Sequence, residues 1–199
     1  MRINVLLLSI IFAFVFNSNL LAQDTKLGAV PSWTKGNQNA KVKIEVFNDY
    51  QCPTCVVFNG KLKIVEGKFP NDLQIIFRHF PLVHIHLNAM LAAQAVEAAG
   101  MQGKFREISD LIFERQRMWT HKKLAKNAFI YYARKLRLNI RKFKSDLDSQ
   151  QAKDRINADV ERGKYLKLKG TPTVFLNGKE LSFVEWDNLE RIIKENLSK

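Results

Sequence analysis

Between Lys41 and Phe77 the hydrophobic period changes twice, and this limits the architecture more than any other feature of the chain. Val42, Ile44 and Val46 alternate with Lys43 and Glu45, the period of two expected of a strand ending near Phe47. Asn48 to Gln51 read as a short loop. From Pro53 to about Lys68 the apolar residues Val56, Val57, Leu62, Ile64 and Val65 follow a helical pattern. Pro53 suits a first helical position, where its missing N–H costs nothing. Phe69-Pro70-Asn71-Asp72 reads as a turn, and Leu73 to Phe77 as a second, apolar strand. Strand, helix and strand in so short a span form a βαβ unit with a right-handed crossover.

Beyond it a helical region is expected from about His86 to Leu168, in pieces Ala89–Ala99, Phe105–Arg117, Lys122–Leu136 and Ile140–Lys167. Val174 to Leu176 reads as a strand and Asn177-Gly178 as a tight hairpin turn. Leu181 to Val184 reads as the returning strand, and Glu185 to Leu197 as a closing amphipathic helix. The predicted class is therefore α/β, in the order β-α-β, helical block, β-β-α.

The first residues set the context. Arg2 precedes an apolar run from Val5 to Phe16, shorter than the roughly 20 residues a bilayer span needs. Asn17-Ser18-Asn19 and then Leu20-Leu21-Ala22 give residues 1–22 the form of a signal peptide cut before Gln23; an uncleaved anchor is the alternative. Residues 23–40 form a polar lead-in, and residues 41–199 one domain with its helical insertion at about 86–168. A periplasmic or secreted protein is expected.

The formal net charge of +13 raises the question of nucleic acid or anionic surfaces, and export argues against nucleic acid. From Arg115 to Ser145 there are eleven Lys/Arg and no Asp or Glu. A solvated basic helix face and a docking surface for an acidic partner or an anionic membrane are the two readings of that stretch.

The only cysteines are Cys52 and Cys55. An even count in an exported protein usually means structural disulfides. A bridge closing so short a loop removes only about 2 kcal/mol of unfolded-state entropy, against roughly 3 for a fifteen-residue loop, so as a staple this pair does little. Its place at a strand-to-helix junction has a chemical reason instead. The attacking species is the thiolate, and a helix N-terminus lowers a thiol's pKa through its dipole and unpaired N–H groups. Cys52, just before the helix, is the predicted exposed nucleophile, with help from the Thr54 hydroxyl. Cys55, one turn in and more buried, is the predicted resolving thiol. A zinc site would need two further ligands from His79, His84, His86 and His121, and His84 and His86 are spaced to diverge on a strand. No metal or other cofactor is expected.

Phe47-Asn48-Asp49-Tyr50-Gln51-Cys52-Pro53-Thr54-Cys55 resembles the active-site strand and loop of the DsbA-like thiol:disulfide oxidoreductases of the thioredoxin superfamily. Arg78-His79-Phe80-Pro81-Leu82, His86 with Asn88-Ala89, Gln102-Gly103-Lys104-Phe105 and Gly170-Thr171-Pro172-Thr173 recur in the family's order, over about residues 36–197. The resemblance implies a thioredoxin fold with an inserted helical domain. It also implies a cis Pro172 beside the CxxC motif, leaving the backbone at Thr171 free to pair with an extended substrate. Many relatives carry a buried acid six residues before the first cysteine. Here that residue is Val46, and Glu45 is one place out of phase, on the other face of the strand. Asp49 or water is then left for proton transfer to and from Cys55.

The expected activity is disulfide donation from Cys52–Cys55 to cysteine-containing exported proteins, with reoxidation by a membrane redox partner as the resemblance implies. A reductase or isomerase is the alternative. The superfamily's exported isomerases carry an added dimerisation domain, for which only residues 23–40 remain, so a monomer is expected. A redox-inert peptide-binding module or holdase is the alternative of a different class.

Overall fold

The computed structural model describes residues 28–120 and 125–199. The signal peptide expected at residues 1–22, the start of the lead-in and His121 lie outside them.

Five strands form one mixed sheet: β1 (Trp33–Gly36), β2 (Val42–Asn48), β3 (Leu73–His79), β4 (Thr173–Leu176) and β5 (Lys179–Glu180), in the order β1-β3-β2-β4-β5. β2 and β3 are parallel, in register Val42↔Leu73 to Asn48↔His79; the other pairs are antiparallel. The crossover between the parallel strands is α1 (Pro53–Lys68), so the βαβ unit predicted from the change of period is present. Phe58, Leu62 and Val65 of α1 are buried in the core with Val42, Ile44 and Val46 of β2.

The helical block lies between β3 and β4: α2 (Ala89–Gly100), α3 (Phe105–Glu114), α4 (Gln116–Trp119), α5 (Ala125–Lys135), α6 (Ile140–Leu147) and α7 (Gln150–Tyr165). α2 is buried on nearly every face, which its small residues Ala92, Ala93, Ala95, Ala98 and Ala99 permit, and α3, α6 and α7 close around it. The single helix expected over Ile140–Lys167 is broken, because Ser149 caps a new one: its Oγ accepts from the Ala152 N–H at 3.2 Å.

Two expectations are corrected by the structure. The lead-in contains a strand, β1, although its residues do not alternate; it is docked by groups remote in sequence. Trp33 Nε1 donates to Glu97 of α2 at 2.8 Å, and the Arg155 guanidinium of α7 lies 4.9 Å from the Trp33 ring centroid. Gly36 ends this strand at φ +91°, where a Cβ would stand 2.1 Å from the Leu73 carbonyl oxygen. The returning strand is not Leu181–Val184 but Lys179–Glu180. Of Leu181–Val184 only the Leu181 N–H still pairs with β4, donating to Val174 O at 2.8 Å. Ser182 and Glu185 then form a reciprocal capping box that starts α8 (Phe183–Asp187), and α9 (Leu189–Leu197) follows.

Two buried ionic clusters join sheet to helices. Glu45 of β2 accepts from Arg78 of β3 and Arg162 of α7, each at 2.8 Å, while Arg78 also donates to Asp159 at 2.9 Å. Glu97 accepts from Arg155 at 2.7 Å and lies 2.9 Å from His79 Nε2. Burial alone would raise the pKa of Glu45 and Glu97, but the bonds from Arg162 and Arg78 hold Glu45, and those with His79 and Arg155 hold Glu97, below the usual carboxylate range.

Candidate active site

The strand-to-helix junction places Cys52 at the cap of α1, with φ −73° and ψ 122°, and Pro53 as the first helical residue. Both cysteines are free thiols here. Cys52 is 7% exposed and Cys55 0%, so the order of burial follows the sequence reading, but Cys52 presents a narrow opening rather than an exposed sulfur. The Thr171–Pro172 bond is cis, and Cys52 Sγ lies 3.3 Å from the Thr171 carbonyl oxygen.

The two sulfurs are driven apart in acidity. The Cys55 thiol donates to Cys52, and the backbone N–H groups of Cys55 and Thr54 and the Thr171 hydroxyl assist; against the opposing effect of burial they hold the Cys52 pKa down to about 5. Thr54 thus acts through its backbone; the hydroxyl interaction expected from sequence is not formed. Cys55 moves the other way. Burial raises its pKa well above the ordinary thiol range, and its bond to Cys52 and the Cys52 charge push in the same direction. The Thr171 hydroxyl is buried and finds no partner of normal hydrogen-bond geometry, yet it stands close enough to both sulfurs to stabilise their charge.

The loop before Cys52 is bolted from below. The Asp49 carboxylate accepts from Gln51 N at 2.7 Å and Leu82 N at 2.9 Å, and lies 2.7 Å from His86 Nδ1. No hydrogen bond links that carboxylate to Cys55; the contact with Cys55 comes from the Asp49 backbone. Val46 is fully buried and Glu45 is engaged by its two arginines, so neither offers Cys55 a proton. Gln51 spans between Thr120 O (3.1 Å) and Asn88 N (2.7 Å).

Gln116, which local sequence did not single out, donates to Tyr50 O at 2.9 Å and Cys52 O at 3.0 Å. Nothing in its neighbourhood of basic residues marks it; only its burial in α4 against the loop does. Val83, Ile85 and Leu87 are exposed on the loop that carries Leu82 and His86. A groove of about 600 Å³ runs beside the first turn of α1, lined by Pro53, Val56, Val57, Phe113 and Met118 together with Glu114 to Arg117. Of the histidines weighed as metal ligands, His79 is buried against Glu97, His86 faces Asp49, and His84 is exposed. Among the described residues no three potential ligands cluster.

Solved structures share this fold. Oxidised BdbD from Bacillus subtilis superposes with a TM-score of 0.74 at 22% identity, over 87% of this chain and 98% of that one. Alpha-DsbA1 from Wolbachia pipientis gives 0.75 at 17% over 86% and 94%. The catalytic domain of ScsC from Proteus mirabilis gives 0.69 at 23% over 84% and 90%. Curated relatives include Na(+)/H(+) antiporter NhaA 1 of Salinispora arenicola, 32% identical over 145 residues and 73% of this chain, and that of Mycolicibacterium vanbaalenii, 33% over 146 residues. The chain spans only 21% and 23% of the length of those two relatives. Among the described residues no helix is long and apolar enough to cross a membrane. The family model described as Thioredoxin matches residues 29–195. With the CxxC motif at the cap of α1, the cis-proline beside it and a helical block inserted after β3, the chain belongs to the thioredoxin family.

Proposed function

We propose that the chain is an exported disulfide donor, which oxidises cysteine pairs in folding proteins through Cys52 and Cys55. The observation that carries this reading is the placement of Cys52 at the cap of α1 and against the Thr171 carbonyl with Cys55 enclosed behind it, which splits the two sulfurs in acidity. A Cys52 thiolate stabilised in the folded state favours the dithiol form, and so makes the disulfide form a strong oxidant.

In the oxidised chain a substrate thiolate attacks Cys52 Sγ. The Cys52–Cys55 bond breaks, and its electron pair leaves on Cys55, whose raised pKa favours taking up a proton. A second substrate thiol, as thiolate, then attacks the substrate sulfur of the mixed disulfide, and Cys52 departs as a thiolate, a good leaving group because of its low pKa. The substrate gains a disulfide and the chain two electrons. The opening at Cys52 and the enclosure of Cys55 support this division of labour. The Thr171 backbone, 3.3 Å from Cys52 Sγ, is suited to pair with an extended substrate strand. Exposed Val83, Ile85 and Leu87 suit the apolar segments of unfolded chains. Asp49 acts as a positioning residue for the loop, and water reaches Cys55 only when the site opens. A membrane redox partner restores the disulfide.

The test is to mix the oxidised chain with a reduced, unfolded protein of known cysteine pairing. Disulfides should appear in the substrate as the chain is reduced. Cys52→Ala should abolish transfer, and Cys55→Ala should trap mixed disulfides at Cys52. Full transfer by Cys52→Ala, or trapping at Cys55 instead, would overturn the reading.

A further inference from the structure

The rim of the site carries charge that the exchange reaction itself does not use. Arg115 and Arg117 flank Gln116, whose side chain touches the Cys52 carbonyl at 3.0 Å. Lys167 and Lys169 precede Thr171, whose carbonyl lies 3.3 Å from Cys52 Sγ. Successive Cα atoms are about 3.8 Å apart, so Lys169 starts within about 8 Å of Thr171, and the two arginines within about 4 Å of Gln116. All four side chains are exposed, and none forms an ion pair among the described residues. The nearest acid, Glu114, is engaged by Lys63 at 2.9 Å. The two arginines line the groove of about 600 Å³ that also holds Pro53, Val56, Val57, Phe113 and Met118, beside the first turn of α1. That size is within the range of formed binding clefts.

From this juxtaposition we propose that the Cys52 face is a docking site for an extended polypeptide whose cysteine has acidic residues on both sides. The proposal rests on the thiol-exchange reading and names its preferred substrate class. The arginines adjoin Cys52 through the Gln116 bond to its carbonyl and the lysines through the Thr171 contact with its sulfur, so a strand laid along Thr171 with its cysteine at Cys52 brings acidic neighbours within reach of cationic residues. An extended strand fits better than a flat lipid surface, because Cys52 is only 7% exposed and reaction needs a sulfur delivered into its narrow opening. Exposed charges at this rim act over about one Debye length at moderate salt, and fields of this kind raise association rates by about 10- to 1,000-fold.

The experiment uses the whole chain and three peptides that differ only in the residues around one cysteine: Asp/Glu, Ser/Gln or Lys. Rates of attack on the oxidised chain are expressed per peptide thiolate, since acidic neighbours raise the peptide's own pKa. At low ionic strength the acidic peptide should react about tenfold or more faster than the neutral one, and the ratio should fall to near one in about 1 M salt, where screening reaches about 3 Å. The double substitution Arg117→Ser/Lys169→Ser should cut the ratio at least threefold. Lys144→Ser on α6, which packs on α2 and α5, should leave it unchanged.

Equal rates for acidic and neutral peptides at low salt would overturn the proposal, as would an equal loss of ratio in Lys144→Ser, which would leave net charge as the whole effect. Binding of phosphatidylglycerol vesicles that is lost in Arg117→Ser/Lys169→Ser while the peptide ratio stays put would overturn it in favour of a membrane. Peptide binding to Cys52→Ala/Cys55→Ala separates the two claims. If the wild-type chain oxidises no peptide but this variant still prefers the acidic one, the exchange reading fails and the docking site stands.

Discussion

Replacing Cys55 with alanine removes the S–H that donates to the Cys52 thiolate, the largest single cause of its low pKa. A hydrogen bond to a charged partner contributes about 1.5–3 kcal/mol, and one pKa unit corresponds to about 1.36 kcal/mol. The Cys52 pKa in Cys55→Ala should therefore rise from about 5 by about one to two units. It should stay below the ordinary thiol range, because the N–H groups of Cys55 and Thr54 and the Thr171 hydroxyl remain. Cys55→Ser keeps a donor on the same turn and should recover most of the difference. The thiolate's ultraviolet absorbance, or the rate of alkylation against pH, reads Cys52 directly in both single-cysteine variants. An unchanged pKa in Cys55→Ala, or a serine variant indistinguishable from the alanine one, would refute the assignment and leave the helix N-terminus as the sole cause.

The remaining predictions concern stability. The folded pKa of Cys52 lies below its unfolded value of about 8.5, so its stabilisation of the reduced form is fully present above that pH and is lost as pH falls toward 5. At pH 7 it amounts to at most about 3 kcal/mol, and to about 1–2 once solvent screening at a sulfur less enclosed than Cys55 is counted. Denaturant unfolding should show the reduced form above the oxidised form by a gap that narrows toward acid; a gap that widens toward acid contradicts this. Glu97→Ala strands His79, Arg155 and the Trp33 indole N–H, and should cost about 3–5 kcal/mol in urea unfolding; a loss under about 1 would show the cluster to be incidental. Gln116→Ala frees the Tyr50 and Cys52 carbonyls and should cost about 1–3 kcal/mol while barely moving the Cys52 pKa, since its bonds go to backbone oxygens and not to sulfur. A large pKa change would assign it an electrostatic role.

The βαβ unit was legible because β2 is polar on alternate positions and α1 opens on a proline, signals that need no tertiary partner. The placement of Cys52 and Cys55 at the start of α1 was legible for the same reason, being fixed by a junction between local elements. β1 was not: Trp33-Thr34-Lys35-Gly36 has no period, and its pairing depends on Glu97 and Arg155, remote in sequence. At the hairpin the β-rich run Leu181–Val184 misled, because the Ser182–Glu185 capping box overrides strand propensity within one turn. Gln116 and the Asp49–His86 pair could not be found either, since what gives each its place is a contact between the helical block or a loop and the active-site loop.

The central claim, that the folded state favours the dithiol and so makes this chain a disulfide donor, is tested most directly by its reduction potential. The chain is equilibrated with glutathione buffers at neutral pH, and the oxidised fraction is read by trapping free thiols. A disulfide donor should show a potential more oxidising than about −200 mV, toward that of strong disulfide donors and away from thioredoxin's roughly −270 mV. A value at or below about −230 mV would contradict it and make the chain a reductase.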